Sequence, residues 1–339
     1  PERRQVVNVE FVSVNPTGPL HVGHARYASY GDALCRLFAF AGHDVTREFY
    51  VNDHGTQMAR FAQSLAARYG QQRGLSTPLP EDGYRGEYVL DLADQLFSAV
   101  GERYMPALVA AGGDVAELPM DVVEELKTWG REAILTLFRR TLERLRISFD
   151  VWAYESALYA GEGRHRGFAG EAGQALADLD AEGLLYEEDG AVWLRTTDYG
   201  DDKDRVLVKQ DGEYTYFASD TAYYVDKRER GFDSCLYLLG ADHHGYVGRL
   251  KAIAACAGDD PERTLDVLIG QLVTITRGGQ EMRLSKRAGT IVTLQDIVDI
   301  AGVDAVRYSL CRYPADSPMT LDLDLVTRQS ADNPVFYVQ

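Results

Sequence analysis

Two short clusters of side chains have the composition and spacing to do chemistry. In Pro19-Leu20-His21-Val22-Gly23-His24 two histidines stand three residues apart, at what reads as the first turn of a helix. At that spacing the imidazoles can point the same way. A helix N-terminus offers unpaired N–H groups and partial positive charge to a phosphate. Gly23 removes a side chain, so a flat adenine or ribose could approach the backbone. The imidazoles would add donors to charge developing on a phosphate during transfer. An isolated H-x-x-H is more often a zinc pair or simple packing. The second cluster, Leu284-Ser285-Lys286-Arg287-Ala288-Gly289-Thr290, is a basic loop of small residues after a strand and before a helix. Its lysine suits a triphosphate or pyrophosphate, and Gly289 lets the loop move. Alone it reads as a solvated turn; paired with H-V-G-H on the opposite half of an α/β chain, it is highly specific.

The elements that must position these clusters follow from the apolar pattern. Val6 to Ser13 is a β-rich apolar run, Asn15 to Pro19 is turn chemistry, and a helix is expected from Val22 to Ala41 with Gly42 at its end. Asp44 to Val51 reads as the next strand, with a helix beginning near Asp53. Strand, turn, helix, strand is the opening of a nucleotide-binding α/β unit. The pattern predicts four regions: residues 1–60 as the first half of a Rossmann-like domain, 61–188 as a mostly helical insertion, 189–293 as the second half, and 294–339 as a helical segment with a Pro314 interruption. In the second half, strands are predicted at 191–195, 214–217, 235–239 and 265–276, with helices at 220–230 and 246–257. The fold class is thus α/β, a Rossmann-like parallel sheet.

Composition removes several classes. With 339 residues, 45% hydrophobic and 26% charged, the chain has the make-up of a folded protein of about two domains. No apolar run approaches the ~20 residues that span a bilayer, and no signal peptide opens it. Four cysteines without C-x-x-C spacing argue against structural zinc and favour a reducing, cytoplasmic setting. A net charge of −17 argues against general nucleic-acid binding but leaves a local basic face open. The charged opening and the Val335–Gln339 ending read as a domain cut from a longer chain.

The pair H-V-G-H and S-K-R resembles the HIGH and KMSKS signatures of class I aminoacyl-tRNA synthetases. The wider string VEFVSVNPTGPLHVGHARYASYGDAL resembles the bacterial arginyl-tRNA synthetase family, as do FYVNDHGTQM, YLLGADHHGYVGRLKA, SKRAGTIVTLQDI and DLDLVTRQSADNPVFYVQ. The resemblance covers both α/β halves and is weakest across the insertion. It departs at Arg283-Leu284-Ser285-Lys286-Arg287, where the family usually has K-M-S-K-R. Its flanking domains, one for the tRNA elbow and a helical one for the anticodon, are not in these 339 residues.

The resemblance implies an ATP-dependent arginine–tRNA ligase catalytic core. An arginine pocket needs carboxylates for a planar, permanently charged guanidinium. The resemblance supplies Glu10, Asn15, His21, Tyr216, Asp220 and His243 as arginine contacts. For ATP it supplies His21, Gly23, His24, Asp242, Ser285, Lys286 and Arg287, with His21, His24 and Lys286 as the catalytic set. Glu10, inside a strand, would be costly to bury without a cationic partner, and reads otherwise as an edge-strand surface glutamate. Asp220 could instead only cap a helix. Phe49 to Asp53 and Gln57 are expected to shape the pocket wall. Mg²⁺ is expected to ride with ATP, with no zinc. The implied partners are L-arginine, ATP and tRNA(Arg), with no membrane and a monomeric state. Lys127, Arg131, Arg139, Arg140, Arg144 and Arg146 are candidates for the acceptor stem, or equally a solvated helix face. A small-molecule adenylylating ligase and a silent, arginine-binding paralogue are the competing readings. A nicotinamide dehydrogenase is not, since no G-x-G-x-x-G follows the first strand.

Overall fold

The computed structural model describes residues 4–159, 170–282 and 292–338, with the side chains of residues 242–244 left outside that description. The first part runs β1 (Val6–Glu10), α1 (Val22–Phe40), β2 (Asp44–Val51), α2 (Thr56–Gln71), α3 (Glu87–Val100), α4 (Met105–Ala110), α5 (Met120–Arg144) and β3 (Val151–Tyr154). Next come α6 (Gly170–Ala181), β4 (Leu185–Glu188), β5 (Ala191–Leu194), β6 (Arg205–Val208), α7 (Tyr216–Glu229), β7 (Ser234–Gly240), α8 (Val247–Cys256), α9 (Pro261–Thr264) and β8 (Leu265–Gly270). The last part holds β9 (Val273–Arg277), β10 (Gln280–Glu281), α10 (Leu294–Ala301), α11 (Val303–Cys311), β11 (Met319–Asp322), α12 (Leu323–Val326) and α13 (Pro334–Val338).

The central sheet is all parallel, in the order β3-β2-β1-β7-β8, and two three-stranded sheets, β4-β5-β6 and β10-β9-β11, flank it. This is the Rossmann-like α/β class expected from the sequence. β1 pairs with β2 from Val6↔Asp44 to Glu10↔Glu48, and with β7 from Val7↔Ser234 to Glu10↔Tyr237. Chain order reverses between β1 and β7, so the crevice beyond their carboxyl ends is where an open α/β sheet binds ligands. Four of the five residues of β1 are buried, as a strand covered on both faces requires.

Several boundaries moved, each for a local reason. The first strand stops at Glu10, because Val12 and Ser13 take φ of 73° and 30°, a left-handed conformation that ends pairing. The expected helix near Asp53 starts at Thr56, after Gly55 at φ 84°. The 61–188 stretch contains β3, which adds to β2 in the main sheet from Glu48↔Val151 to Val51↔Tyr154. The expected strand at 214–217 is instead the start of α7, because the Thr215 hydroxyl accepts from Ala218 N at 3.3 Å and caps a helix there.

The run at 265–276 is two strands in two sheets. Between them Arg26, fully buried on α1, donates to the carbonyls of Gln271, Pro314 and Ser317 at 3.1, 2.6 and 2.7 Å. That anchor turns the chain out of the main sheet. β11, inside a stretch expected to be helical, pairs with β9 from Met319↔Val273. Among the described residues no helix is long and apolar enough to cross a membrane.

Candidate active site

At the switch point, α1 begins directly beside the ends of β1 and β7. His21 is its N-cap: His21 Nδ1 accepts from Gly23 N at 3.1 Å, and His24 Nδ1 accepts from His21 N at 3.2 Å. The two rings lie 3.8 Å apart, tilted by 32°. The capping box is thus built from imidazoles, and it fixes both rings on the first turn. Gly23 is required for a reason beyond ligand access. A Cβ there would stand 2.9 Å from Cε1 of His21 and push that ring out of its cap. Downstream of the basic loop, Thr293 bridges His21 and Leu294 N donates to Leu20 O at 2.9 Å. Ser285, Lys286 and Arg287 themselves lie outside the described residues.

A second group of side chains gathers beyond the same strand ends. Glu10 closes β1 and is buried, with its Oε2 2.6 Å from Nζ of Lys227. Lys227 is wholly buried on α7, with Nζ 4.3 Å from the ring centre of Tyr223 and 3.9 Å from that of Tyr237. Asp220 stands on the same helix, and its Oδ2 is buried with no hydrogen-bond partner among the described residues. Burial, and then the charges of Glu10 and Glu155, hold its carboxyl well above the usual range, with Arg249 pulling the other way. Glu155, just past β3, is 2% exposed and also keeps a buried oxygen, Oε2, without a partner among the described residues. Burial pushes Glu155 up to about 7, Asp53 adds to the shift, and the Ser219 hydroxyl opposes it. A desolvated set of carboxylates with unmet acceptors is an expensive arrangement unless a cation completes it.

The surroundings hold this set in place. Asp53 takes Arg131 of α5 at 2.7 Å, Ser156 N at 2.9 Å and Ser156 Oγ at 2.8 Å, which fixes the chain beside Glu155. The Tyr159 and Ser219 hydroxyls share a hydrogen bond, and His54 lies 4.6 Å from the Tyr159 ring. Glu48, beside Glu10 on β2, is bound by both Arg230 nitrogens at 2.8 Å, by Tyr223 Oη at 2.6 Å and by Asn8 Nδ2 at 2.7 Å. Although burial pushes its carboxyl up, Arg230, Lys227 and Tyr223 hold it down at about 2.

Of the expected arginine contacts, Glu10 and Asp220 meet in this group. Tyr216 is 69% exposed on the first turn of α7, and a Cβ on Gly55 would lie 3.9 Å from its hydroxyl. Asn15 lines a cleft of about 350 Å³ with Ser13, Thr17, His24, Gln57 and Tyr88. Asp242 and His243 lie in the short 3₁₀ turn Ala241–Tyr246 after β7, but their side chains fall outside the described ones. Most basic candidates on and just after α5 have partners within the chain. Lys127 pairs with Glu124, Arg131 with Asp53, Arg144 with Asp299 and Arg146 with Asp304, while Arg139 lies over Trp152.

Sequence reading missed Glu155 and Lys227. Glu155 was hidden because β3 was absorbed into the helical insertion; as the residue after a parallel strand it would have stood out. Lys227 was legible in principle, since Tyr216, Asp220, Tyr223 and Lys227 recur at four, three and four residues along one helix face.

Comparison with known proteins gives the family and the fold. The family model "tRNA synthetases class I (R), catalytic domain" matches residues 1–308. The arginine--tRNA ligase of Frankia alni is 54% identical over 98% of this chain, and that of Kineococcus radiotolerans 49% over 98%. Both alignments cover 56% of the relative, so the chain spans about half the length of the curated relatives it matches. A solved structure from Campylobacter jejuni, described as an arginyl-tRNA synthetase, superposes with a TM-score of 0.86 at 32% identity, covering 99% of this chain and 69% of that one. The Thermus thermophilus arginyl-tRNA synthetase shares the fold, with a TM-score of 0.70 at 19% identity over 97% of this chain and 62% of that one.

Proposed function

The chain belongs to the arginine-type class I tRNA synthetase catalytic-domain family, and from that premise we propose that it activates L-arginine with ATP and passes it to tRNA(Arg). The observation that carries this reading is the buried acidic set with unpartnered oxygens on Asp220 and Glu155, beside a histidine-capped helix N-terminus. Such a pocket asks for a cation with several fixed donors, which a guanidinium is.

In the first step the arginine carboxylate attacks the α-phosphorus of ATP, forming arginyl-adenylate and releasing pyrophosphate. His21 and His24 at the start of α1 hold the phosphates, and Lys286 takes the pyrophosphate charge. Chemistry of this kind rests on positioning and electrostatics more than on proton transfer. In the second step the terminal ribose 2′-hydroxyl attacks the arginyl carbonyl and AMP leaves. Glu10, Asp220, Glu155 and Tyr216 hold the guanidinium, while Asn15 and His243 hold the amino-acid end. Asp242 and Gly23 receive the nucleoside, with Ser285 and Arg287 assisting at the phosphates. Mg²⁺ arrives with ATP, and the place of work is the cytoplasm, with the enzyme acting as a monomer. The four regions bounded at residues 60, 188 and 293 serve as two catalytic halves, an insertion and a connecting helical segment.

The test is an aminoacylation assay on the intact enzyme with His24→Ala and Lys286→Ala. Each should lower the rate by about 10²–10³, the loss typical of one donor to developing charge. Unchanged rates in either variant remove that residue from the mechanism. Absence of arginine binding by the parent protein overturns the whole reading.

A further inference from the structure

Lys227 is a buried cation in a pocket whose proposed ligand is itself a cation, and its neighbours show what it does there. The ammonium has no exposed surface; it sits between the Tyr223 and Tyr237 rings and bonds Glu10 Oε2 at 2.6 Å. Two buried carboxylates stand side by side across the β1–β2 pairing, Glu10 and Glu48, and α7 with its C-cap supplies a cation to each. They are not equivalent. Glu48 has both oxygens filled, by Arg230, Tyr223 and Asn8. Glu10 has one oxygen held by Lys227, and its other oxygen has no partner among the described residues. That open oxygen shares its surroundings with the unpartnered Asp220 Oδ2 and Glu155 Oε2.

We propose that Lys227 is a specificity-setting positioning residue: its ammonium occupies one oxygen of Glu10 and fixes that carboxylate, so that only a forked cation can satisfy Glu10, Asp220 and Glu155 together. A substrate lysine would offer a single compact ammonium, which one carboxylate can saturate while the others stay unmet. Polar sites reject ligands that leave their buried groups unpaired. Removing Lys227 frees both oxygens of Glu10, and an ammonium can then take the place of the lost side chain. This inference rests on the arginine reading of the pocket.

The experiment compares parent, Lys227→Met and Lys227→Arg, measuring kcat and KM for arginine and, in parallel, binding of arginine and of lysine by calorimetry. In Lys227→Met the KM for arginine should rise roughly tenfold or more, as when one charged hydrogen bond loses its fixed geometry. kcat should fall less than KM rises, the arginine-to-lysine affinity ratio should narrow, and Lys227→Arg should recover part of the loss. Equal losses for arginine and lysine, or an unchanged KM, overturn the proposal. If Lys227→Met does not fold, Glu10→Gln tests the same carboxylate, and an unchanged arginine-to-lysine ratio there overturns it too. A parent protein that binds no arginine refutes the reading of the site, a result distinct from any of these.

Discussion

Glu155 and Asp220 give the site its pH dependence. Burial raises both, Glu155 to about 7, above the ordinary carboxylate range they keep in the unfolded chain. The folded protein therefore holds protons that the unfolded chain has lost, and this part of its stability declines as pH rises from about 4.5 toward 7. Facing these carboxyls are Glu10 from β1, Asp53 and Tyr50 from the β2 end, and Arg249 from α8. A bound guanidinium reverses the preference, because it favours the ionised forms. Arginine affinity should then increase from pH 6 to pH 8 with release of protons, and Glu155→Gln should flatten the part of that rise centred near 7. Calorimetry in buffers of different ionisation enthalpy would read the proton count. A parent affinity that does not change over this range would contradict the assignment. Glu10, Tyr216 and Asp220 were picked out through family likeness, and of these the structure brings Glu10 and Asp220 together. The internal cation on Glu10 was not, because the partners are 217 residues apart in sequence.

At the scale of elements, α1 must lie close on β1 if its first turn is to face the strand ends. Gly31 permits this, since a Cβ there would overlap the ring of Phe11, the residue immediately after β1. Gly31→Ala forces either the ring or the helix to move, and overpacking of this kind costs about 1–3 kcal/mol. The expected result is a lower Tm together with weaker ATP binding, because the histidine cap travels with the helix. A lower Tm with intact nucleotide binding would show that Phe11 yields instead. The helices were readable from their apolar faces, and β2 and β7 from their β-rich runs. β3 and β11 were misread as parts of helical stretches, and β9 was merged with β8 into one strand, because a run of four or five residues is too short to show its period and only pairing distinguishes it.

For the whole molecule, the two buried carboxylates beneath the pocket join both halves of the fold. Glu48 on β2 is bound by Tyr223 of α7 and by Arg230 at its C-cap, 175 and 182 residues later. With its carboxyl held at about 2, the stability it lends is complete above its ordinary range near 4.5 and is lost as pH falls from there toward 2. Arg230→Met should remove that protection, leaving a buried charge unpaired. Its acid unfolding midpoint should move to higher pH, and its unfolding free energy at pH 7 should drop by about 3–5 kcal/mol, as for a broken buried pair. An unchanged acid midpoint would place the stabilisation elsewhere. The sequence by itself determined the α/β class, the helix start at Val22 and the family, because local patterning and short motifs are written in neighbouring residues. Only the tertiary structure decided which strands form the main sheet and that Glu155 joins the acidic pocket. It also showed that Glu10 arrives already paired with Lys227. Those facts depend on contacts between residues far apart in the chain, and burial gives such contacts their energy only once the fold has closed around them.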